Sequence, residues 1–230
     1  MEKQNFIPIL FSTSMVKAIL EGRKLMTRRT KGLDFVNKNS NLFRYDSCDD
    51  TYGDYDSREP DATLHWFENI DENGKELEKY VSVKCPYGKV GDVLWVRETF
   101  LPTIINGKKD GNWYKASVDI TSQLIIKWKS SLFMPKAACR IFLEITDVRV
   151  ERLQDISNED AIDEGIERLN VASSMMCYKS YVVKGGGTGV YPYVSFQTLW
   201  QSINGKESWE KNSWVWVVSF KRIEKPTDFC

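Results

Sequence analysis

Histidine is almost missing from this chain: His65 is the single one among 230 residues. That argues against a histidine-built zinc site and removes the usual base from Ser-His-Asp or Cys-His catalysis. Cysteine is sparse as well. The five (Cys48, Cys85, Cys139, Cys177 and Cys230) are odd in number and scattered, with no C-x-x-C, so neither a zinc ribbon nor a redox pair is encoded. Free thiols in a reducing cytoplasm are the expectation, with no metal and no cofactor. No run of about 18 apolar residues occurs, and MEKQNFIPIL lacks the pattern of a signal peptide, so no membrane association and a cytoplasmic location are expected. No G-x-G-x-x-G follows a strand pattern, and VKGGGTGV is not closed by Gly-Lys-Ser/Thr, which argues against a Rossmann unit or a phosphate-binding P-loop.

Net charge is missing too, with 32 Lys+Arg against 32 Asp+Glu, but its distribution is uneven. Residues 1–38 carry eight basic and three acidic groups, a surplus of five positive charges, whereas 39–80 carry four basic and twelve acidic groups, a surplus of eight negative ones. A ligand meeting the first block meets a positive field. Aromatic residues are abundant, with 8 Trp, 10 Tyr and 11 Phe, and the 42% hydrophobic content is that of a globular core. The length suits one decorated domain over 1–230.

Local patterning supplies the elements. FIPILFS (6–12) reads as a buried strand. Met15, Val16, Ile19 and Leu20 share a helical face over 14–21, with Ser12 or Thr13 as cap and Gly22 at the end. Residues 31–80 read as an acidic, turn-rich insertion with one apolar island, LHWFENI, and room for a small hairpin across Asp71–Gly74. Strands are expected from Val93, over 112–117, over 140–153 and over 214–223. Helices are expected in SNEDAIDEGI, capped by Ser157, and in FQTLWQSING. Residues 167–195 read as a flexible loop. The fold class expected is α+β: a small mixed β-barrel with flanking short helices and insertions.

The densest polar cluster is Gly22 to Arg29, GRKLMTRR, emerging from the end of the first helix. A desolvated Lys24 is a candidate proton carrier, Thr27 a candidate nucleophile or water-orienting hydroxyl, and Arg23, Arg28 and Arg29 are candidate phosphate ligands. A solvated basic turn is the plainer alternative. In LWVRET, alternation puts Leu94, Val96 and Glu98 on one face and Trp95, Arg97 and Thr99 on the other. An inward Glu98 needs a cationic partner, either in a structural ion pair or beside Lys24. Trp95, Trp113, Trp128, Tyr191, Tyr193 and Trp200 are candidates for stacking on a base, or for core packing.

GRKLMTRR resembles the G-x-K-x-x-[E/T]-x-R signature of the ASCH domain, a PUA-like β-barrel family, with Gly22, Lys24, Thr27 and Arg29 in its four marked positions. Blocks 7–29, 85–100, 134–166 and, more loosely, 196–222 resemble, in this order, the phage and prophage branch of that family. The resemblance implies a PUA-like barrel whose cleft receives RNA or a modified nucleobase or nucleoside. Small bacterial members are amidohydrolases that deacetylate N4-acetylcytidine. Carried over, Lys24 and Thr27 are catalytic by motif and Glu98 by its place in the strand after the Gly91-Asp92 turn. Gly22, Arg23, Arg28, Arg29, Trp95 and Arg97 are then the nucleic-acid or substrate-binding set. The rival expectations are a non-catalytic nucleic-acid-binding module and a phage morphogenesis protein that contacts other phage proteins.

Overall fold

The computed structural model describes residues 4–47, 64–71, 73–105, 108–118, 127–169, 176–182, 188–189 and 191–229. In chain order the elements are β1 (Phe6–Leu10), α1 (Thr13–Leu20), β2 (Met26–Arg29), α2 (Asp34–Lys38), β3 (Phe43–Ser47), β4 (Leu64–Ile70) and β5 (Glu76–Lys84). They continue with β6 (Val93–Arg97), β7 (Phe100–Ile105), β8 (Lys108–Tyr114), β9 (Phe142–Arg152) and α3 (Asn158–Asp163). The last are β10 (Arg168–Leu169), β11 (Cys177–Lys179), β12 (Thr188–Gly189), α4 (Pro192–Asn204) and β13 (Trp214–Ile223).

The core is a mixed five-stranded sheet in the order β1-β6-β9-β13-β2. Only β1 and β6 run parallel; the other pairs are antiparallel. Pro8 sits in β1, an edge strand, where a missing N–H leaves no ladder bond unmade. The long central strand β13 sorts the molecule into layers through its period of two. Trp214, Trp216, Val218 and Phe220 enter one core with α1, α2 and strands β3 and β4, while Val215 and Val217 enter a second core with Phe196 and Trp200 of α4 and Ala161 of α3.

The mixed α+β class follows from this arrangement. The barrel expected from the sequence does not close among the described residues: β1 and β2 end the sheet as edges without pairing to each other. The acidic insertion is also more than a solvated loop. Its described parts form an antiparallel sheet, β3-β4-β5, because Phe43 and Phe67 give it an apolar face that is buried on the central sheet with Leu33 and Val36. The stretch 48–63, including Cys48, lies outside the described residues, as does Cys230. The described residues of the expected flexible loop 167–195 carry regular structure: β10, β11 and β12 form a small sheet, and α4 begins at Pro192. Most of VKGGGTGV lies outside the described residues. Among the described residues no helix is long and apolar enough to cross a membrane.

Candidate functional site

Lys24 reaches the interior because the chain turns sharply after α1. Ser12 Oγ caps the helix start, accepting from Met15 N–H. At the other end the N–H groups of Arg23 and Lys24 both return to Ala18 C=O, around Gly22 at φ 72°. That left-handed residue is the reason for glycine here. The turn carries Lys24 under the end of α3, where Gly165 holds φ 87° and has no room for a side chain. A Cβ at Gly165 would stand 2.8 Å from Lys24 Cβ and 3.0 Å from Ala18 Cβ.

This close approach places Glu164 against Lys24. Lys24 is 2% exposed; its Nζ donates to Glu164 Oε2 at 2.7 Å and to Glu164 C=O at 2.9 Å. Burial pushes the Lys24 ammonium below its ordinary pKa. Glu164 opposes that shift, and Arg29 and Arg28 reinforce it. Glu164 Oε1 is buried with no hydrogen bond, although Arg28 Nη1 lies 3.6 Å away. Arg28 is itself fully enclosed and answered by Asp160 at 2.5 Å and Glu151 at 3.0 Å. Arg149 joins the same network through Asp160, Glu151 and Asp147.

Beside this pair lies a cavity of about 230 Å³, lined among others by Met15, Thr27, Arg28, Arg29, Tyr87 and Glu164. The opposite wall is α4, which contributes Phe196, Leu199, Trp200, Ile203 and Asn204. The cavity follows the free edge of β2, so both faces of that strand reach it. The bond from Phe220 N–H to Leu25 C=O and the register of β2 on β13 make Thr27 and Arg29 the residues bonded to β13. By ladder alternation the backbone N–H and C=O of Arg28 turn away from β13, toward the edge. Just before the strand, Leu25 N–H donates to Asp163 C=O.

The residues proposed from sequence divide between two places. Thr27, Arg28 and Arg29 line the cavity, and Lys24 meets it through Glu164. Gly22 acts through its backbone. Arg23 pairs with Glu21 and donates to Gly165 C=O, bracing the turn. Glu98 is a correction. It is buried, as alternation required, but Arg140 grips it with two hydrogen bonds of 2.8 and 3.0 Å, and its charge is not among those acting on Lys24. It ties β6 to the loop before β9, and the carboxylate that meets Lys24 is Glu164. Trp95 and Arg97 also lie away from the cavity. Trp95 packs with Phe229 and Phe142 in a separate cluster, and Arg97 donates to Leu132 C=O and lies over Trp95; neither lines the cavity. Of the other aromatic residues expected to stack on a base, only Trp200 lines it, while Trp113, Tyr191 and Tyr193 are exposed.

Glu164 is not singled out by the sequence, which places it in the SNEDAIDEGI helix with Gly165 near its end. The usable signal was the adjacency of an acid to a glycine that ends a helix. Among the described residues no cluster of His, Cys, Asp and Glu is arranged to hold a metal. Compared with family models, curated proteins and solved structures, the chain finds no match.

Proposed function

We propose that the cavity hydrolyses the acyl amide of an N-acylated nucleobase, with N4-acylated cytidine as the model substrate. One observation supports this most: Glu164 has one oxygen held by a buried Lys24 and the other without a hydrogen bond, in the wall of a cavity that also takes in Thr27. Amide hydrolysis needs a base for the attacking water, an acid for the leaving nitrogen and a donor for the developing oxyanion. Glu164 Oε1 accepts the proton of the water as its oxygen bonds to the acyl carbon. Thr27 Oγ orients that water, and the edge N–H of Arg28 faces the oxyanion. The carbon–nitrogen bond then breaks, and the nitrogen takes the proton from Glu164 Oε1, leaving free carboxylic acid and deacylated base. Lys24, behind Glu164, keeps its proton throughout and holds the carboxylate in place through Oε2. On this reading the chain is an ASCH-type, PUA-like protein whose barrel is represented by the open five-stranded sheet.

The test is chromatography of a panel of acylated and unmodified nucleosides after incubation with the protein and with Lys24→Ala, Glu164→Gln, Thr27→Val and Glu98→Gln variants. Release of acid and cytidine is expected, lost in Lys24→Ala and reduced by roughly 100-fold or more in Glu164→Gln and Thr27→Val. No turnover across the panel by the intact protein overturns the reading. Loss confined to the Glu98 variant overturns the assignment of Glu164.

A further inference from the structure

The charges of the cavity are balanced at its floor and unbalanced at its mouth. Four charged side chains line it: Arg28, Arg29, Lys31 and Glu164. Glu164 is answered by Lys24, and Arg28 by Asp160 and Glu151. Arg29 has no carboxylate partner among the described residues: it donates to Leu10 C=O and lies over the Phe11 ring, and its Nε has no hydrogen bond. Lys31 is exposed and its ammonium makes no ion pair among the described residues. The nearest acid along the chain, Asp34, turns its carboxylate to Gly32 N–H.

Depth changes steadily along this segment. Thr27 and Arg28 are buried, Arg29 and Thr30 are half-buried and Lys31 is exposed. Four residues of extended chain span at most about 13 Å. A pyrimidine nucleoside whose exocyclic nitrogen is at Glu164 would therefore bring its 5′ substituent to Arg29, Thr30 and Lys31. We propose that these three form a phosphate subsite, and that the substrate is a nucleoside monophosphate rather than the bare nucleoside. The proposal rests on the reading of the floor given above and adds the recognition of the far end. An arginine fork, a hydroxyl and a lysine point charge are complementary to a terminal phosphate. The facing wall, α4, brings only Phe196, Leu199, Trp200, Ile203 and Asn204 to the cavity. A track for successive phosphodiesters needs further cations, so the geometry favours one terminal phosphate over a strand.

The experiment is calorimetry with cytidine, cytidine 5′-monophosphate and a short cytidine oligonucleotide, on the intact protein and on Lys31→Ala and Lys31→Glu. The monophosphate is expected to bind at least tenfold more tightly than cytidine, with the ratio falling toward one in Lys31→Glu and with added salt. Equal affinity for cytidine and its monophosphate, or a ratio that survives Lys31→Glu, overturns the subsite and leaves the floor chemistry standing. Tighter binding of the oligonucleotide than of the monophosphate overturns it in favour of a strand. Failure of both small ligands to bind, together with no turnover on the nucleoside panel, overturns both readings.

Discussion

A lysine enclosed as fully as Lys24 holds its proton only while a carboxylate stays beside it, so each property of the site passes through Glu164. Activity is expected to fall at alkaline pH as Lys24 deprotonates, at a pH below the 10.5 of an ordinary lysine. Glu164 raises that value, so residual turnover by Glu164→Gln should show its alkaline limb at still lower pH. A kcat/KM profile whose limb stays in place or moves upward contradicts this. The contact itself depends on one missing side chain. Gly165→Ala puts a methyl group 2.8 Å from Lys24 Cβ on backbone at φ 87°, so the end of α3 must lift. We expect a loss of about 1–3 kcal/mol of stability in denaturant unfolding. Turnover should fall with it, and a variant with native stability and full activity would show that Lys24 and Glu164 do not need this approach.

Elements differ in how far their own residues announced them. The cap of α1 by Ser12, the cap of α3 by Ser157 and the strand signals over 140–153 and 214–223 are local, and each element is seen. The inward direction of Glu98 was equally local. Its partner was not, because Arg140 is 42 positions away, and Glu164 meets Lys24 across 140. Periodicity carries no information over such separations. Within the insertion the hairpin turn at Asp71–Gly74 is a local signal and joins β4 to β5, whereas the packed three-stranded sheet is not legible, because irregular register at Tyr45/Ser47 and at Glu68/Ile70 breaks the period of two in β3 and β4. The burial of β4 has a measurable consequence. His65 is enclosed beside Trp216 and bonded to Tyr45, and burial lowers its pKa from 6.5 to about 4. The unfolded chain therefore takes up a proton that the native one refuses. The stabilisation is complete above about pH 6.5 and declines as pH falls toward 4, by about 2–3 kcal/mol in all. Denaturant unfolding at pH 7 and pH 4.5 should show His65→Gln losing less stability than the intact protein by roughly that amount, and equal losses would refute it.

At the scale of the whole molecule, the question is whether the acidic segment is an appendage or part of the fold. Read as a solvated insertion that contacts phage partners, it should be removable with the nucleoside chemistry left intact. The architecture says otherwise. Phe67 is fully buried, with its ring 5.5 Å from both Tyr45 and Trp214, and Trp214 sits on the strand that also pairs with β2. The layer that shields one face of β13 is thus built from the segment itself, while the other face of β13 supports α4 and the cavity wall. Removing a ring from such a position costs about 3–5 kcal/mol. Phe67→Ala is therefore expected to lower the stability of the entire chain by that amount in a single cooperative transition, with tryptophan fluorescence and far-ultraviolet circular dichroism moving together. Excision of 39–84 should expose Trp214 and Trp216 and leave the protein unable to fold. An early, separate transition of the segment in Phe67→Ala, or a folded and active excised protein, would instead make it an independent module resting on a self-sufficient sheet.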